Sequence, residues 1–300
     1  MGYAPFVSEE RIIVMYYGAI EAGGTKMVCA VGNEKGEIIK QIELPTRSPD
    51  ETMPEMLAFF QEYTLEGLGI GTFGPVELNK LSGQYGSILA SPKKQWEGFN
   101  FYQYFRENLG CKVEVDTDVN AAALGEYTDG ALKGIQNGMY ITIGTGIGAG
   151  IIAEGKLLHG MLHPEAGHIL LQRHPKDNME SLCRFHPNCF EGLAAGPALE
   201  KRSGIKGKDI PKEHIVWEIE SDYIAQALVN YTLVLATERI VLGGGVMQQE
   251  HLFPKIRQRY EKLMAGYMDT KELRNLDEFI VPARLGGKQG ILGALRLAKI

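Results

Sequence analysis

Residues 16–32, YYGAIEAGGTKMVCAVG, set the architecture expected for this chain. Two apolar runs, Tyr17–Ile20 and Met27–Val31, flank a glycine turn and predict two strands joined as a hairpin. A turn of this kind can hold an anion through backbone N–H groups, a hydroxyl and a positive charge. The residues that offer these groups are Gly23, Gly24, Thr25 and Lys26. The hairpin therefore predicts a phosphate-facing turn at its tip.

The same arrangement recurs in the second half of the chain. Strand-like runs at Met139–Ile143 and Gly150–Ala153 are joined by the glycine-rich segment Gly144–Gly148. No dinucleotide-binding fingerprint is formed, because position 149 is alanine. The repeated hairpin predicts an internal duplication, with two similar halves that each carry a phosphate-facing turn.

The remaining segments alternate between strand and helix patterns and predict an α/β fold. Further strands are expected at Ile38–Leu44, Leu68–Thr72, Val113–Val115 and Arg239–Leu242. Helices are expected at Pro49–Tyr63, Phe99–Leu109, Ala121–Leu132, Asp222–Thr237, Phe253–Met264 and Gly290–Lys299.

A third glycine loop, Leu242–Met247, follows the predicted strand at Arg239–Leu242. A glycine loop at the end of a strand suits the phosphates of a nucleotide. A single loop of this kind is more often a plain tight turn. Three of them, each after a strand, favour nucleotide phosphates as the ligand.

Composition excludes several classes of protein. The chain has 300 residues, of which 44% are hydrophobic and 23% charged, and a net charge of -6. These values exclude a disordered or fibrous protein, and the mild acidity offers no footprint for nucleic acid or an anionic membrane. No signal peptide or membrane segment is recognisable, so a cytoplasmic enzyme is expected.

A metal-ligand pattern stands out in the second half. His168, Cys183, His186 and Cys189 have the spacing His-x14-Cys-x2-His-x2-Cys. Two thiolates and two imidazoles match a tetrahedral structural zinc site. The alternatives are free cysteines with surface histidines, or a disulfide, which a cytoplasmic chain disfavours. A nucleic-acid-binding zinc finger is disfavoured because the segment lacks a recognition helix and a basic excess.

Candidate chemistry lies at Asp116–Asn120, which follows a predicted strand and precedes a helix. Carboxylates at such a strand end face the ligand crevice of an open α/β sheet, and an aspartate here could deprotonate a hydroxyl. A helix cap explains one of these polar residues but not all of them. Glu165 and Glu191 flank the metal pattern, where a bound zinc would place them rigidly for hydrogen bonds to a polyol. His159, His163, His174 and His214 are expected to be loop or surface residues.

From about Tyr17 onward, the chain resembles the ROK family of sugar kinases, and most closely its zinc-containing bacterial fructokinases. The motifs that carry the resemblance are Glu21–Lys26, DTDVNAAALGE at 116–126, Ile141–Gly150, HPEAGH at 163–168, CRFHPNCFEGLAAGP at 183–197 and LGGGVM at 242–247. The resemblance implies a two-domain actin-like ATPase fold, related to ribonuclease H, with an interdomain cleft. It also implies a homodimer.

The resemblance assigns roles to individual positions. Asp118 matches the catalytic base, which takes the proton from the sugar hydroxyl that attacks the γ-phosphate of ATP. Glu165, His168 and Glu191 match sugar-holding positions, with His168 also a zinc ligand. Mg²⁺ accompanies ATP. The nucleotide site is expected at the two hairpin turns, Gly23, Gly24, Thr25, Lys26, Gly144, Thr145 and Gly146, and at Pro197, Gly243, Gly244, Gly245, Val246 and Met247.

Two departures from the family pattern bear on specificity and metal binding. ROK glucokinases usually carry asparagine before the catalytic aspartate, where this chain has Thr117. This change favours fructose over glucose, phosphorylated at the 6-hydroxyl. Many members carry aspartate where this chain has Glu21. Glucokinase, mannokinase, N-acetylmannosamine kinase and a non-catalytic sugar-binding regulator remain the alternatives.

The expected organisation has three parts. Residues 1–16 form an N-terminal extension, with Met15 as the expected native start. Residues 17–117 form an N-terminal α/β domain joined by the C-terminal helix at 288–300. Residues 118–287 form a C-terminal α/β domain with a zinc-binding insertion at 163–192. Only 20 residues precede Glu21, too few for the DNA-binding domain of ROK repressors.

Overall fold

Two five-stranded sheets form the framework of the computed structural model, which describes residues 15–91 and 93–300. Of the expected N-terminal extension, residues 1–16, all but the last two lie outside the described residues, and the expected native start at Met15 stays a prediction. The first sheet contains β1 (Tyr16–Ala22), β2 (Lys26–Gly32), β3 (Ile38–Pro45), β4 (Leu65–Thr72) and β5 (Lys112–Thr117). The second contains β6 (Gly138–Ile143), β7 (Ile147–Ala153), β8 (Lys156–Leu157), β9 (Arg239–Gly243) and β10 (Ile280–Pro282).

The two sheets share one topology. Their strand orders are β3-β2-β1-β4-β5 and β10-β9-β6-β7-β8. In each sheet the first three strands form an antiparallel meander, and the last two join parallel to the first. The internal duplication predicted from the repeated hairpin is therefore confirmed.

Helices cover both sheets. They are α1 (Pro49–Gln61), α2 (Phe101–Leu109), α3 (Asp118–Asp129), α4 (Phe190–Ala194), α5 (Gly196–Ser203), α6 (Val216–Leu235), α7 (Leu252–Met264), α8 (Leu276–Phe279) and α9 (Gln289–Leu297). Each half has its own apolar core, with Phe60, Trp96 and Phe105 in the first and Trp217 and Tyr223 in the second. No helix within the described part of the chain is long and apolar enough to cross a membrane.

Helices α3 and α9 connect the two halves through contacts that only small residues allow. A Cβ at Gly293 of α9 would lie 1.6 Å from the carbonyl oxygen of Ala121 in α3. A Cβ at Gly69 of β4 would lie 1.9 Å from the carbonyl oxygen of Ala294 in α9. The C-terminal helix thus packs on the first sheet, although it follows the second sheet in the chain.

Most predicted elements are found within a few residues of their expected bounds, and two helix starts differ. Helix α3 begins at Asp118 rather than Ala121, because the Thr117 hydroxyl accepts a hydrogen bond from Asn120 N–H and caps the helix. Helix α6 begins at Val216 rather than Asp222. Its first turns include the fully buried Glu220, which breaks the apolar pattern and lies 3.8 Å from Arg202. The strands β8 and β10, of two and three residues, are too short for a sequence pattern.

Candidate active site

A cavity of 780 Å³ opens between the two halves. The first half contributes Phe73, Gly74 and Pro75, and the second contributes the turn between β6 and β7. The predicted site residues that line it are Thr117, Asp118, Gly144, Thr145, Gly146, Glu165, His168, Cys183 and Glu191. Residues distant in the sequence thus meet in one cleft.

Asp118 stands at the start of α3 and faces this cavity. One carboxylate oxygen accepts a hydrogen bond from Val119 N–H at 2.8 Å. Burial, together with the smaller effect of the negative charges of Glu21 and Glu165, raises the pKa of Asp118 to about 7, against the opposing effect of that hydrogen bond. A carboxyl group with a pKa near neutrality is suited to general-base catalysis.

A network of polar side chains holds the start of α3 in place. Asp116 is buried, and its Oδ2 lies 2.8 Å from Nε2 of His159. Its Oδ1 accepts hydrogen bonds from Asn120 Nδ2 at 2.7 Å and from Thr117 N–H at 2.8 Å. Of the polar residues at this strand end, Thr117 and Asp118 line the cavity, whereas Asp116 and Asn120 support the backbone beneath them. His159 lies in a loop, in agreement with the expectation of a loop or surface residue, and its contact with Asp116 has no signal in the sequence.

Glu191 links the metal-ligand segment to the second glycine turn. Its Oε2 accepts a hydrogen bond from Ile147 N–H at 3.0 Å, and its Oε1 lies 3.9 Å from Nε2 of His168. A Cβ at Gly146 would lie only 2.8 Å from Oε2 of Glu191, so glycine is required for this approach. The side chains of Glu165, His168 and Glu191 therefore form a polar wall next to the turn, suited to binding several hydroxyl groups.

The four predicted metal ligands come together. Donor atoms of His168, Cys183, His186 and Cys189 all lie within 4.8 Å of one another. Sγ of Cys183 is 3.9 Å from Nδ1 of His168 and 3.6 Å from Nδ1 of His186. Separations of this size and a set of two sulfur and two nitrogen donors fit a tetrahedral zinc ion. Its four ligands would be these residues, with Nε2 of His168 left free on the cavity side.

The predicted nucleotide residues divide into two groups. In the second half, Gly144 C=O accepts a hydrogen bond from Gly196 N–H at 2.7 Å, and a Cβ at Gly144 would lie 3.8 Å from Gly245 N. The turn at Gly144–Gly146, the start of α5 with Pro197, and the loop from Gly243 to Met247 thus form one region. Pro197 and the third loop lie beside the cavity and are not among its lining residues.

The first glycine turn lies apart from that region. Gly23 N–H donates to Lys26 C=O at 2.9 Å and closes the turn, whose residues do not line the cavity. Lys26 Nζ pairs with Glu43 at 2.7 Å on the exposed side of the hairpin. The methylene Cε of Lys93 lies 3.4 Å from where a Cβ of Gly24 would be, which places a second cation near the turn.

Several residues that line the cavity have no role among the expectations from the sequence. His163 lies in a loop, as the expectation of a loop or surface residue allows, but only 5% of its side chain is exposed and it lines the cavity. Arg184 and Phe185, between the metal ligands, also line it. The metal-ligand pattern itself was the signal for these two, because residues between ligands of one ion are held close to it.

Two sheets of one topology, joined around a cleft with glycine turns, define the actin-like ATPase class of fold. Within that class, this chain belongs to the ROK family, whose model matches residues 17–300. The fructokinase of Pediococcus pentosaceus is 46% identical over 95% of this chain and 98% of its own length. The fructokinase of Streptococcus mutans is 41% identical over 94% of this chain and 97% of its own length. A crystal structure of the ROK hexokinase from Thermus thermophilus, 25% identical, superposes with a TM-score of 0.76 over 95% of this chain and 98% of that one. The predicted family and fold are confirmed.

Proposed function

We propose that this chain is an ATP-dependent fructokinase that converts D-fructose to fructose 6-phosphate. The observation that carries the proposal is the position of Asp118. It lies in one cavity with the polar wall of Glu165, His168 and Glu191 and with the turn at Gly144–Gly146. Its pKa is near neutrality. The fructokinases that share 41% and 46% of its residues over nearly the full chain support the sugar.

In the proposed reaction, Asp118 accepts the proton of the fructose 6-hydroxyl. The oxygen then forms a bond to the γ-phosphorus of ATP while the bond to the β-phosphate oxygen breaks, and ADP leaves. Glu165, His168 and Glu191 bind the other hydroxyls and fix the direction of the attacking oxygen. Accurate placement of two reactants accounts for a large part of the barrier reduction in such reactions.

The glycine loops hold the nucleotide in this proposal. Gly23, Gly24, Thr25 and Lys26 face the phosphates from the first half, and Gly144, Thr145 and Gly146 from the second. Pro197 and Gly243, Gly244, Gly245, Val246 and Met247 border the rest of ATP. Bound Mg²⁺ would neutralise charge on the phosphates. Glu21 lies on β1, two residues before the first turn, and its pKa is raised by burial.

Zinc has a structural role in the proposal. A bound ion would join His168, Cys183, His186 and Cys189, and so fix the ring of His168 with Nε2 towards the sugar. Two thiolate ligands require reduced cysteines, which is the condition of the cytoplasm, so we place the enzyme there.

The proposed organisation follows the sheets. Residues 17–117 with the C-terminal helix at 288–300 form one domain, and 118–287 the other, with the zinc-binding insertion at 163–192. Closure of the two domains over the sugar would exclude water from the phosphates. We also propose a homodimer, as the family resemblance implies.

Sugar preference tests the proposed function. With Mg²⁺–ATP we expect kcat/KM for fructose to exceed that for mannose, glucose and N-acetylmannosamine by about tenfold or more, a difference that about 1.4 kcal/mol in the transition state produces. ADP release measures it. Thr117→Asn, which restores the amide usual in ROK glucokinases, should reduce the preference for fructose over glucose. Preference for another hexose would support a sugar kinase but contradict fructose as its substrate. No turnover with any hexose would contradict the proposed kinase activity.

The pH dependence follows from Asp118. The carboxylate is the active form, and its pKa in the folded protein is about 7. We therefore expect kcat/KM for fructose to fall about tenfold per pH unit below that value and to level off above it. Glu21→Gln removes a negative charge that raises the pKa of Asp118, so the acid limb should move to lower pH. Glu62→Gln, an exposed glutamate that pairs with Lys40 and does not line the cavity, is the control. An acid limb that stays in place in Glu21→Gln would contradict this cause.

A further inference from the structure

His163 contacts both halves of the molecule at the edge of the cavity. It lies in the loop after β8 of the second half. Its Nε2 accepts a hydrogen bond at 3.3 Å from the backbone N–H of Val76, which belongs to the first half and is fully buried. A buried N–H without a partner is costly, so the ring satisfies a donor that the first half leaves open.

The other ring nitrogen faces a carboxylate. Nδ1 of His163 lies 3.4 Å from Oε1 of Glu165, and the Pro164 backbone raises the pKa of the ring. Because Nε2 must accept from Val76, the proton of a neutral ring is on Nδ1. Burial lowers the pKa of His163, and His159 has a smaller effect in the same direction. The negative charges of Glu165 and Asp116 raise it but do not outweigh burial. The ring is therefore neutral, with one acceptor side and one donor side.

Gly74 of the first half leaves space for the His163 ring. A Cβ at Gly74 would lie 3.4 Å from Cε1 of His163, so the imidazole packs directly on the backbone before Val76. Glu165 itself is about half exposed and has no closer side-chain partner among the described residues. Nδ1 of His163, at 3.4 Å, is therefore the side-chain atom placed to orient this carboxylate.

We infer that His163 is a positioning residue that couples contact between the halves to sugar recognition. Nε2 of His163 accepts the hydrogen bond from Val76 N–H, which fixes the ring. Nδ1 then directs the Glu165 carboxylate into the cavity. Glu165 then meets the hexose in the right direction only while the two halves are together. This inference rests on the proposed function, because it needs Glu165 to bind the sugar.

Two conservative substitutions separate the two contacts. The terminal amide of glutamine falls near the place of Nε2, so His163→Gln can keep the bond to Val76 and loses the contact to Glu165. The amide of asparagine falls near Nδ1, so His163→Asn keeps the contact to Glu165 and loses the bond to Val76. Since the coupling needs both, each variant should raise KM for fructose by roughly tenfold, the effect of one lost hydrogen bond. KM for ATP should stay within about twofold, because no nucleotide residue is touched.

A double-mutant cycle with Glu165→Gln distinguishes positioning from plain structural support. If His163 acts through Glu165, adding His163→Gln or His163→Asn to Glu165→Gln should change KM for fructose by less than about twofold. Thermal unfolding of each variant checks that it is folded. His214→Gln, outside the cavity, is the control for a histidine change.

The outcomes separate this inference from the proposed function. Additive effects in the cycle, or an unchanged KM for fructose in both single variants, would overturn the positioning role while the kinase stands. Absence of fructose turnover in the wild-type protein would reject the proposed function, and with it the inference that depends on it.

Discussion

Asp118→Asn is expected to lower kcat for fructose phosphorylation by about 10²–10⁴-fold, the usual contribution of a general base. The amide keeps the size of the side chain and cannot accept the hydroxyl proton. Fructose binding, measured by calorimetry, should remain within a few-fold, because the polar wall of Glu165, His168 and Glu191 is intact. Asp209→Asn, at an exposed position away from the cavity, is the matched control. A kcat within twofold of wild type would exclude Asp118 as the base.

The same substitution should stabilise the protein above neutral pH. The pKa of Asp118 in the folded protein is about 7, above the ordinary value of 3.8, so the native state holds its proton more tightly than the unfolded chain. Native stability therefore declines as pH rises from about 4 to about 7 and stays reduced above that. Asp118→Asn lacks this decline. We expect its unfolding midpoint at pH 8 to exceed that of wild type by roughly 2–6 °C, with the difference vanishing near pH 4. An equal or lower midpoint at pH 8 would contradict the raised pKa.

Removing one zinc ligand is the second change with a large expected effect. Cys183→Ser should reduce zinc from about one ion per chain to a small fraction, as measured by metal analysis. His168 would lose its fixed orientation, so kcat/KM for fructose should fall by about 10–100-fold, and the unfolding midpoint should drop. In that variant only His168, His186 and Cys189 of the four ligands remain.

The control for the zinc experiment is Cys111→Ser. Cys111 is a half-buried thiol outside the cluster, and its removal should leave zinc content and activity within about twofold of wild type. Chelation of wild-type protein should reproduce the Cys183→Ser phenotype, and added zinc should reverse it. A zinc-free protein with full activity would refute the structural role of the metal.

The duplicated fold was predictable because it repeats in the sequence. Each hairpin combines two apolar runs with a glycine turn. Such a hairpin can be predicted from neighbouring residues alone, without information on distant contacts. The start of α6 is not predicted from the sequence because Glu220 interrupts the apolar pattern and yet is buried, 3.8 Å from Arg202, and a local pattern does not contain this contact. The strand β10 exists through pairing with β9, which lies 37 or more residues earlier in the chain.

Site residues were predictable where the chemistry requires ligands at a fixed spacing in the sequence. They were less predictable where the contact is between residues that are distant in the sequence. The metal cluster follows from three ligands within seven residues and a fourth nearby. The segment Asp116–Asn120 is predicted from its place after a strand, and the resemblance to the ROK family singles out Asp118 within it. In contrast, His163 has no local signal, because its role depends on Val76, 87 residues away, meeting it across the cleft. The bond between His159 and Asp116 likewise joins residues 43 apart.

The most direct test of the account is to identify the product formed from ¹³C-labelled fructose and Mg²⁺–ATP by ¹³C and ³¹P NMR, with wild-type protein and Asp118→Asn side by side. We expect wild type to form fructose 6-phosphate and ADP in equal amounts, and Asp118→Asn to form neither in the same time. Phosphate on another hydroxyl, or equal product from both proteins, would contradict the assignment of the cavity and of Asp118.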